Sequence, residues 1–335
     1  MPPSDVDRSP RVDDYRAGET LIGVSPLFLR VLAISDAVAT NDCVVLLEGE
    51  SGTGKELLAR RIHRRSARSP KPFIPVNCAG ISETLFESQF FGHVRGAFTG
   101  AVTEVLGVVR AAEGGTLLLD EVSEIPLHLQ AKLLRLLQER EIIPVGGSRP
   151  MSVNVRFIAA TNHNLRKAVE KGRFRADLYH RLNIVRLELP PLRSRPEDIL
   201  PLLDWYLDIY AREYGRARRT LGDGLRTQLQ EFSWPGNVRE LCSYVERLYA
   251  ADLPPMPPSA VLWDDQEPVE PKIDPAPGRL TEIADPPQAF TLAEAEQRAI
   301  LRALNYTRWN RSAAARLLDV HRSTLIRKMR FYGMG

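Results

Sequence analysis

The 335-residue chain has 44% hydrophobic and 26% charged residues, an ordinary composition for a soluble protein with room for two or three domains. It contains neither an apolar run of about eighteen residues nor a signal-peptide core, which predicts a cytoplasmic protein with no membrane partner. The net charge of +3 decides little, but residues 291–335 carry nine Lys or Arg against three acids. That basic tail favours a nucleic-acid partner.

Two patterns divide the first 250 residues. After a short polar N-terminus, 1–20, apolar runs alternate with amphipathic helical stretches through 21–190, which predicts an α/β domain with a parallel sheet covered by helices. The pairs are 43–47 with 56–66, 116–119 with 127–140, and 155–159 with 165–171. Residues 191–250 have helical spacing alone and predict a small helical subdomain.

The remaining chain predicts a linker and a DNA-binding domain. Residues 251–289 hold ten of the 25 prolines and many acids, so they predict an extended linker rather than helix or central strand. In 290–335, short helical stretches at 311–318 and 323–332 are separated by only a few residues. Two helices joined so closely fit an all-α helix-turn-helix domain.

A phosphate-binding loop is predicted directly after the first strand. The pattern GxxxxGK lies between a strand and a helix, where glycines permit tight turns and backbone amides face phosphates. Its residues are Gly49, Glu50, Ser51, Gly52, Thr53, Gly54 and Lys55, and Lys55 is expected to reach the terminal phosphates of ATP. Glu56 stands where the general pattern has a Ser or Thr that would ligate Mg²⁺, so other groups must hold the ion.

Polar side chains also follow the second and third strands. The second strand ends in Asp120 and Glu121, which predicts a magnesium-side residue and a catalytic base for attack on the terminal phosphate. Two acids at a strand end are often only an exposed turn, so this prediction depends on the Lys55 loop. Asn162, after the third strand, is expected either to sense the terminal phosphate or to cap the loop.

With these motifs the chain resembles the sigma-54-dependent activators, AAA+ proteins also called bacterial enhancer-binding proteins. The match runs from about Gly23 to Ala250 and resumes in the tail. Glu, as in Glu56, is also the residue that the family usually has at this position of the phosphate loop. The most specific match is the hexapeptide Gly96, Ala97, Phe98, Thr99, Gly100 and Ala101. The resemblance implies a loop that contacts sigma-54 as ATP turns over, and an exposed Phe98 makes physical sense if it meets a partner. The preceding Ser88-Gln89 departs from the family, which more often has an acidic residue and leucine there.

The resemblance also implies residues that connect subunits. Asn77 resembles the family residue that engages the catalytic Glu and links nucleotide state to the loop. The stretch 174–181 resembles the segment that supplies arginine fingers, which makes Arg175 and Arg181 the candidates. A finger completes the site of a neighbouring subunit, so the resemblance implies a homo-oligomeric ring, expected to be a hexamer.

Four further positions carry over from the family. The segment 234–241 resembles its sensor region, in which Asn237 is expected to cap a helix and Arg239 to point at the nucleotide. Each of the family's arginines could instead form only a surface salt bridge. Ile22 and Gly23 resemble residues that line the adenine pocket.

The tail resembles the helix-turn-helix of the factor-for-inversion-stimulation (Fis) type. The residues expected to contact double-stranded DNA are Arg322, Ser323, Thr324, Arg327 and Lys328. Leu325 and Met329 are expected to face the hydrophobic core. Such domains bind two-fold symmetric sites as dimers, which predicts dimeric binding to an upstream activating sequence.

The resemblance as a whole implies an ATPase that remodels the closed complex of sigma-54 RNA polymerase holoenzyme into an open complex. About twenty residues precede Gly23, too few for a receiver domain, so control by a separate regulatory protein is expected, with abundance or constitutive activity as the alternative. A DNA-binding repressor or sigma-70 regulator, using the AAA+ domain only to oligomerise, should lack the loop motif or Glu121. Another AAA+ remodeller, such as a helicase loader, is disfavoured by the hexapeptide.

Overall fold

The computed structural model describes residues 20–258 and, in the tail, Ile300, Leu318, Leu325, Lys328 and Met329. The chain divides into two compact units, Met1–Glu267 and Pro268–Gly335. Within the described residues, none of the helices combines the length and apolar character needed to cross a membrane.

The first unit is built from short strands and helices that alternate along much of its length. The strands are β1 Val45–Glu48, β2 Phe73–Asn77, β3 Gly92–His93, β4 Val105–Leu106, β5 Thr116–Asp120, β6 Glu141–Ile142, β7 Met151–Ser152, β8 Arg156–Thr161 and β9 Val185–Glu188. The helices are α1 Pro26–Ala39, α2 Lys55–Arg64, α3 Glu83–Phe91, α4 Val108–Ala111, α5 Leu127–Glu139, α6 Leu165–Glu170, α7 Ala176–Leu182, α8 Ile199–Glu213, α9 Asp223–Glu231 and α10 Asn237–Ala250.

Five strands form one parallel sheet in the order β2-β5-β8-β1-β9. Helices cover both faces, since apolar side chains of α1 and α2 pack on one face and those of α3, α5 and α7 on the other. The predicted α/β fold is therefore confirmed. Because β8 lies between β5 and β1, Asn162 follows a strand placed between the phosphate loop and the acids, as the sequence predicted.

The two strands that the sequence pattern did not reveal, β2 and β9, are the edges of this sheet. The strand β2 contains Pro75, which an edge strand tolerates because one of its sides makes no ladder hydrogen bonds. Each edge strand has a single buried residue, and its other residues are partly or fully exposed, whereas β8 is buried throughout. Continuous apolar runs thus mark the central strands only.

The helical subdomain, called the lid below, comprises α8, α9 and α10 around their own apolar core. That core extends past Ala250, since Leu253 and Met256 pack against it and Tyr244 Oη donates to Met256 O at 2.6 Å. The predicted linker began at Ala251, so its first residues in fact belong to the packed lid.

In the second unit, Leu325 and Met329 are buried, as expected for residues that face a core. Lys328 lies in a helical segment and is half-buried. The other predicted DNA contacts, Arg322, Ser323, Thr324 and Arg327, lie outside the described residues.

Candidate active site

The phosphate loop leaves β1 and curls around the ammonium group of Lys55. Lys55 Nζ donates to the carbonyl oxygens of Gly49 at 2.8 Å and Glu50 at 3.3 Å. Burial lowers the pKa of Lys55, while attraction by Glu121 and Asp120 acts in the opposite direction. The predicted phosphate lysine and the two predicted acids therefore interact within one site.

The lid touches the phosphate loop at a glycine. Gly52 has a φ of +77°, and a Cβ there would lie 2.2 Å from the carbonyl oxygen of Gly236. No side chain fits in so short a distance. Nearby, Arg239 Nη1 donates to Ser51 Oγ at 2.8 Å, which brings the predicted sensor arginine against the loop.

Asn237 does not cap α10, so that prediction was wrong. The helix begins at Asn237 itself, with Gly236 as its cap residue and a φ of 55° at Asn237. The side chain instead spans the junction: Nδ2 donates to Ser51 O at 3.0 Å and Glu50 Oε2 at 3.2 Å, and Oδ1 accepts from Leu192 N at 2.8 Å. Asn237 thus ties the lid to the phosphate loop.

A two-pronged ion pair makes a second tie across this junction. Arg193 donates to both carboxylate oxygens of Glu50, at 2.7 Å and 2.5 Å. The hydrogen bonds from Arg193, with help from Asn237, lower the pKa of Glu50 to about 2. Glu50 therefore stays ionised at neutral pH and holds Arg193 in place.

Buried charges join the phosphate loop to the start of the lid. Arg195 and Asp198 are almost completely buried, with 3.6 Å between Nη1 and Oδ2. Arg195 Nη2 donates to Thr53 O at 3.2 Å, and its guanidinium lies over the Phe28 ring at 4.4 Å. A buried charge is costly unless it is paired, so this network holds its members in one arrangement.

The same carboxylate fixes the segment before α1. Asp198 accepts hydrogen bonds from Val24 N at 2.5 Å, Ser25 N at 2.7 Å and Ser25 Oγ at 2.9 Å. Just before it, Ile22 packs against the lid core, and a Cβ on Gly23 would lie 2.3 Å from Phe28 Cδ1. The residues predicted to line the adenine pocket therefore lie at the junction between the lid and the sheet domain.

The acids at the end of β5 have an unusual backbone. Glu121 has φ 51° and ψ 51°, a left-handed conformation that non-glycine residues seldom adopt. Glu121 N donates to Asp120 Oδ1 at 3.1 Å, and Asn162 N donates to Glu121 Oε2 at 3.1 Å. Strain of this kind persists where surrounding contacts enforce it, and it is concentrated at functional sites.

Asn77 ends β2 beside the acids. It pairs with Asp120 in the sheet register, and its Oδ1 accepts from Ala79 N at 3.0 Å. Next to it, burial raises the pKa of the Cys78 thiol to about 12, and Asp120 and Glu121 add to that shift. The predicted switch residue thus adjoins the acidic strand end, while the Glu121 carboxylate accepts from Asn162.

A cleft of about 660 Å³ lies between the phosphate loop and the lid. That volume suits a nucleotide-sized ligand. The lining residues predicted from sequence are Ser51, Gly52, Gly54, Lys55, Glu56, Asp120, Glu121 and Arg239. The remaining predicted nucleotide-site residues of the described part of the chain do not form its wall: Gly49, Glu50, Thr53, Asn77, Asn162, Arg175, Arg181, Ile22 and Gly23.

Sequence reasoning missed the lid wall of this cleft. Tyr206, Tyr210, Cys242 and Glu246 lie there at helical spacings on α8 and α10. Tyr210 Oη donates to Glu246 Oε2 at 3.3 Å and lies 3.0 Å from Cys242 Sγ. The amphipathic spacing of both helices was visible in the sequence. It did not reveal that the side of α8 and α10 with these four residues faces the phosphate loop.

Both predicted arginine fingers lie away from the cleft of their own chain. Arg175 makes a two-pronged ion pair with Asp177, through hydrogen bonds of 3.0 Å and 2.7 Å. Arg181 donates from Nε and Nη2 to Leu137 O, at 3.3 Å and 3.0 Å. Both flank or belong to α7, which packs against α5.

The hexapeptide forms the tip of a hairpin between β3 and β4. Gly96 N donates to Ala101 O at 2.8 Å, closing the tip. Gly96 and Gly100 have positive φ, and a Cβ added to either would meet no atom within 4 Å. Phe98 is 45% exposed, and its ring lies 4.9 Å from that of His93. The tip therefore projects with an accessible aromatic side chain.

A second loop supports the base of this hairpin. Val94 N donates to Val145 O at 3.1 Å, and Val145 N donates to Gly92 O at 2.9 Å. A Cβ on Gly146 would lie 2.7 Å from Ala97 Cβ, so a glycine is needed at this approach. The hairpin stem and the loop after β6 are thus joined by backbone bonds and close packing.

A parallel sheet with a phosphate loop, acids on the neighbouring strand end and a helical lid defines a nucleotide-hydrolysing AAA+ domain. Residues 21–188 match the family model described as the Sigma-54 interaction domain, and 193–255 match the AAA+ ATPase lid domain. Residues 291–332 match the Bacterial regulatory protein, Fis family. The three matches follow the predicted order of domains along the chain.

Relatives over most of the chain include two bacterial regulators. The chain is 43% identical over 313 residues to the transcriptional regulatory protein FlbD of Caulobacter vibrioides, covering 92% of this chain and 69% of that one. It is 42% identical to the transcriptional regulatory protein ZraR of Klebsiella oxytoca, covering 97% and 71%. A solved structure of NtrX from Brucella abortus in complex with ATP is 33% identical, with a TM-score of 0.67 over 94% of this chain and 70% of that one.

The chain belongs to the sigma-54-dependent transcriptional regulators. It is an ATPase of the AAA+ class with a Fis-type helix-turn-helix domain at its C-terminal end. The predicted class of enzyme and the predicted sigma-54 and DNA partners are therefore confirmed at the level of the family.

Proposed function

We propose that the chain binds DNA upstream of a promoter and uses ATP hydrolysis to convert the closed complex of sigma-54 RNA polymerase into an open one. One observation carries this proposal. The same domain contains a cleft with Lys55, Asp120 and Glu121 and a hairpin that exposes Phe98 of the hexapeptide. A repressor that used the domain only to oligomerise would need neither the hydrolytic acid nor the exposed aromatic.

In the proposed reaction, Lys55 leaves the carbonyl oxygens that it now contacts and binds the terminal phosphates of ATP. Glu121 takes a proton from the attacking water, and Arg239 binds phosphate from the lid side of the cleft. Asn162 senses the terminal phosphate through its position beside the Glu121 carboxylate. In another nucleotide state, Asn77 is proposed to replace Asn162 as the hydrogen-bond partner of the Glu121 carboxylate.

Mg²⁺ fits the donors that line this cleft. Asp120 and Glu121 supply carboxylate oxygens, the ligand type that Mg²⁺ prefers, and both interact with Lys55. Glu56 is engaged with Arg60 at 2.6 Å, so Asp120 is the residue proposed to hold the ion. Bound there, Mg²⁺ would neutralise charge on the phosphates.

We also propose that catalysis requires a ring, with six subunits as the expected number. Arg175 and Arg181 lie outside the cleft of their own chain, which supports a role as fingers for the cleft of a neighbour. The pairing of Arg175 with Asp177 keeps the finger folded back until a neighbour's nucleotide competes for it. The tail would bind a two-fold DNA site through Arg322, Ser323, Thr324, Arg327 and Lys328, and so concentrate subunits near the promoter.

The experiment that tests the proposal is promoter opening by the full chain on a supercoiled template, detected by permanganate reactivity of unpaired thymines. Sigma-54 holoenzyme is compared with sigma-70 holoenzyme, and Glu121→Gln is the variant that should bind ATP without hydrolysing it. Opening only with sigma-54, ATP and the parent chain is expected. ATP hydrolysis without opening would contradict the proposal and favour an AAA+ remodeller of some other complex, whereas DNA binding with neither hydrolysis nor opening would favour the repressor.

A further inference from the structure

Exposed apolar side chains continue beyond the hexapeptide into the stem of its hairpin. Val102 is 74% exposed, Leu106 58% and Val105 45%, in addition to Phe98 at the tip. These four large apolar residues lie within nine consecutive positions. A concentration of this kind on a small hairpin is a mark of an interaction surface rather than of chance exposure.

The hairpin geometry places Phe98 and Val105 on one face. In the antiparallel register His93 lies directly opposite Val105, and directly opposite residues point to the same side of a two-stranded ribbon. The Phe98 ring contacts the His93 ring at 4.9 Å, so it lies on that side too. Val102 lies between them along the chain and, at 74%, is the most exposed of the three. We call Phe98, Val102 and Val105 the apolar strip.

We propose that the apolar strip is an extended contact surface for sigma-54, in which Val102 and Val105 add a second anchor to the hexapeptide tip. This inference rests on the proposed function of the hexapeptide. The occupant is a segment of sigma-54 with apolar side chains that reach both the tip and the stem. It is favoured because the strip is continuous with the tip and lies inside the matched Sigma-54 interaction domain.

A second anchor, formed by Val102 and Val105, would help the loop to stay bound while it moves its partner. A loop that moves its partner during hydrolysis must stay bound for the duration of the movement, and the dissociation rate depends on the surface buried at the contact. Phe98 is the one large apolar side chain of the hexapeptide. Exposed charged residues, Arg95 and Glu104, flank the strip and supply the polar rim that interfaces commonly have.

The test measures binding of the full chain to labelled sigma-54 holoenzyme by fluorescence anisotropy, with ADP and aluminium fluoride as a mimic of phosphoryl transfer. The double variant Val102→Ser/Val105→Ser should weaken binding by about tenfold, because two apolar anchors are lost. Val105→Ile keeps the apolar surface and should bind like the parent. Leu27→Ser changes an equally accessible apolar residue on α1 and serves as the matched control. Thermal unfolding verifies that each variant is folded.

The outcomes separate this inference from the proposed function. Parent-like binding by the double variant together with loss of binding by Thr99→Ala would overturn the second anchor and leave the role of the tip intact. Parent-like binding by both would overturn the role of the hexapeptide as well. If the double variant failed to assemble in sedimentation with the same nucleotide, the strip would be a contact between copies of the chain, which also overturns the inference.

Discussion

The phosphate loop and the hexapeptide hairpin are both glycine-rich turns, but their surroundings are opposite. At the phosphate loop, a Cβ on Gly52 would meet the Gly236 carbonyl oxygen at 2.2 Å. At the hairpin, a Cβ on Gly96 or Gly100 would meet nothing within 4 Å. The glycine of the phosphate loop is packed against the lid, whereas Gly96 and Gly100 of the hairpin face open space, although Ala97 between them packs beside Gly146.

The same contrast holds for charged and apolar side chains. Around the phosphate loop, Arg195 and Asp198 are buried charges with defined partners, while at the hairpin Phe98 and Val102 are apolar and exposed. The nucleotide side is therefore organised before its ligand binds, which reduces the ordering cost of binding. The hairpin contacts the rest of the chain at its base and at Ala97, while Phe98 and Val102 remain exposed, as expected for a segment whose partner completes it.

The largest expected effect comes from Lys55→Ala, which removes the cation around which the phosphate loop is folded. ATP turnover should fall about a thousandfold, because the charge that develops on the transferred phosphoryl group loses its stabilising donor. Phosphate release with excess ATP measures this effect. Lys171→Ala, at an exposed position after α6, is the control. Parent-like turnover in Lys55→Ala would remove Lys55 from the site.

Asp198→Asn tests whether the buried charges hold the nucleotide side together. Arg195 would lose its counter-charge while remaining buried, so the free energy of unfolding should fall by about 3 kcal/mol. Chemical denaturation measures this value. The control is Asp208→Asn, whose exposed pair with Arg218 at 2.6 Å should matter little. Equal effects of the two variants would refute the distinction between buried and exposed pairs.

A matched pair of glycine substitutions compares the two turns directly. Gly52→Ala and Gly96→Ala both place a side chain at positive φ, at +77° and +81°, so they share a backbone cost. Only Gly52→Ala also forces the lid away from the loop, which should add about 2 kcal/mol of destabilisation. Denaturation curves of both variants give the difference. A larger loss of stability in Gly96→Ala would reverse the comparison.

The smallest expected effect is the pH dependence of the Glu50 and Arg193 pair. Arg193 holds the pKa of Glu50 at about 2, below its ordinary value of 4.5. The pair therefore contributes its full stability above about pH 4.5, and that contribution is lost as the pH falls toward 2. Because the two side chains are 42% and 48% exposed, water screens the pair and keeps the effect small.

Glu50→Gln measures this contribution. The thermal midpoint of the variant should lie slightly below that of the parent near neutral pH, and the gap should narrow as the pH is lowered below about 4.5. Glu231→Gln, at an exposed carboxylate at the end of α9, provides the control. A gap that is constant with pH would show that the carboxylate charge contributes nothing.

The central sheet was predictable because buried parallel strands are continuous apolar runs. This signal identified the strands β1, β5 and β8. The phosphate loop and the acids could then be predicted to lie at the ends of these strands. The edge strands β2 and β9 were missed because Pro75 interrupts the apolar residues of β2, and because Arg186 and Glu188 alternate with apolar residues in β9. Edge position, not the strength of strand preference, separates the strands that were found from those that were missed.

At the candidate site, local motifs were predictable and long-range contacts were not. The loop that ends in Lys55 and the acids Asp120 and Glu121 are recognised within a few residues of sequence. The hydrogen bond from Ser25 N to Asp198 joins positions 173 residues apart, and no sequence pattern near either residue predicts it. Asn237 was assigned to a helix cap because Asn commonly has that role, but its left-handed backbone turns the side chain toward Ser51.

Trp234 gives the junction between lid and phosphate loop an optical signal. Its indole is fully buried, donates to Leu229 O at 2.9 Å and lies edge-on to Phe232 and Tyr244. Gly236, two residues further on, is the residue that meets Gly52. A change in lid position on nucleotide binding would alter the surroundings of this indole. Tryptophan emission should then follow occupancy of the cleft in the unlabelled chain.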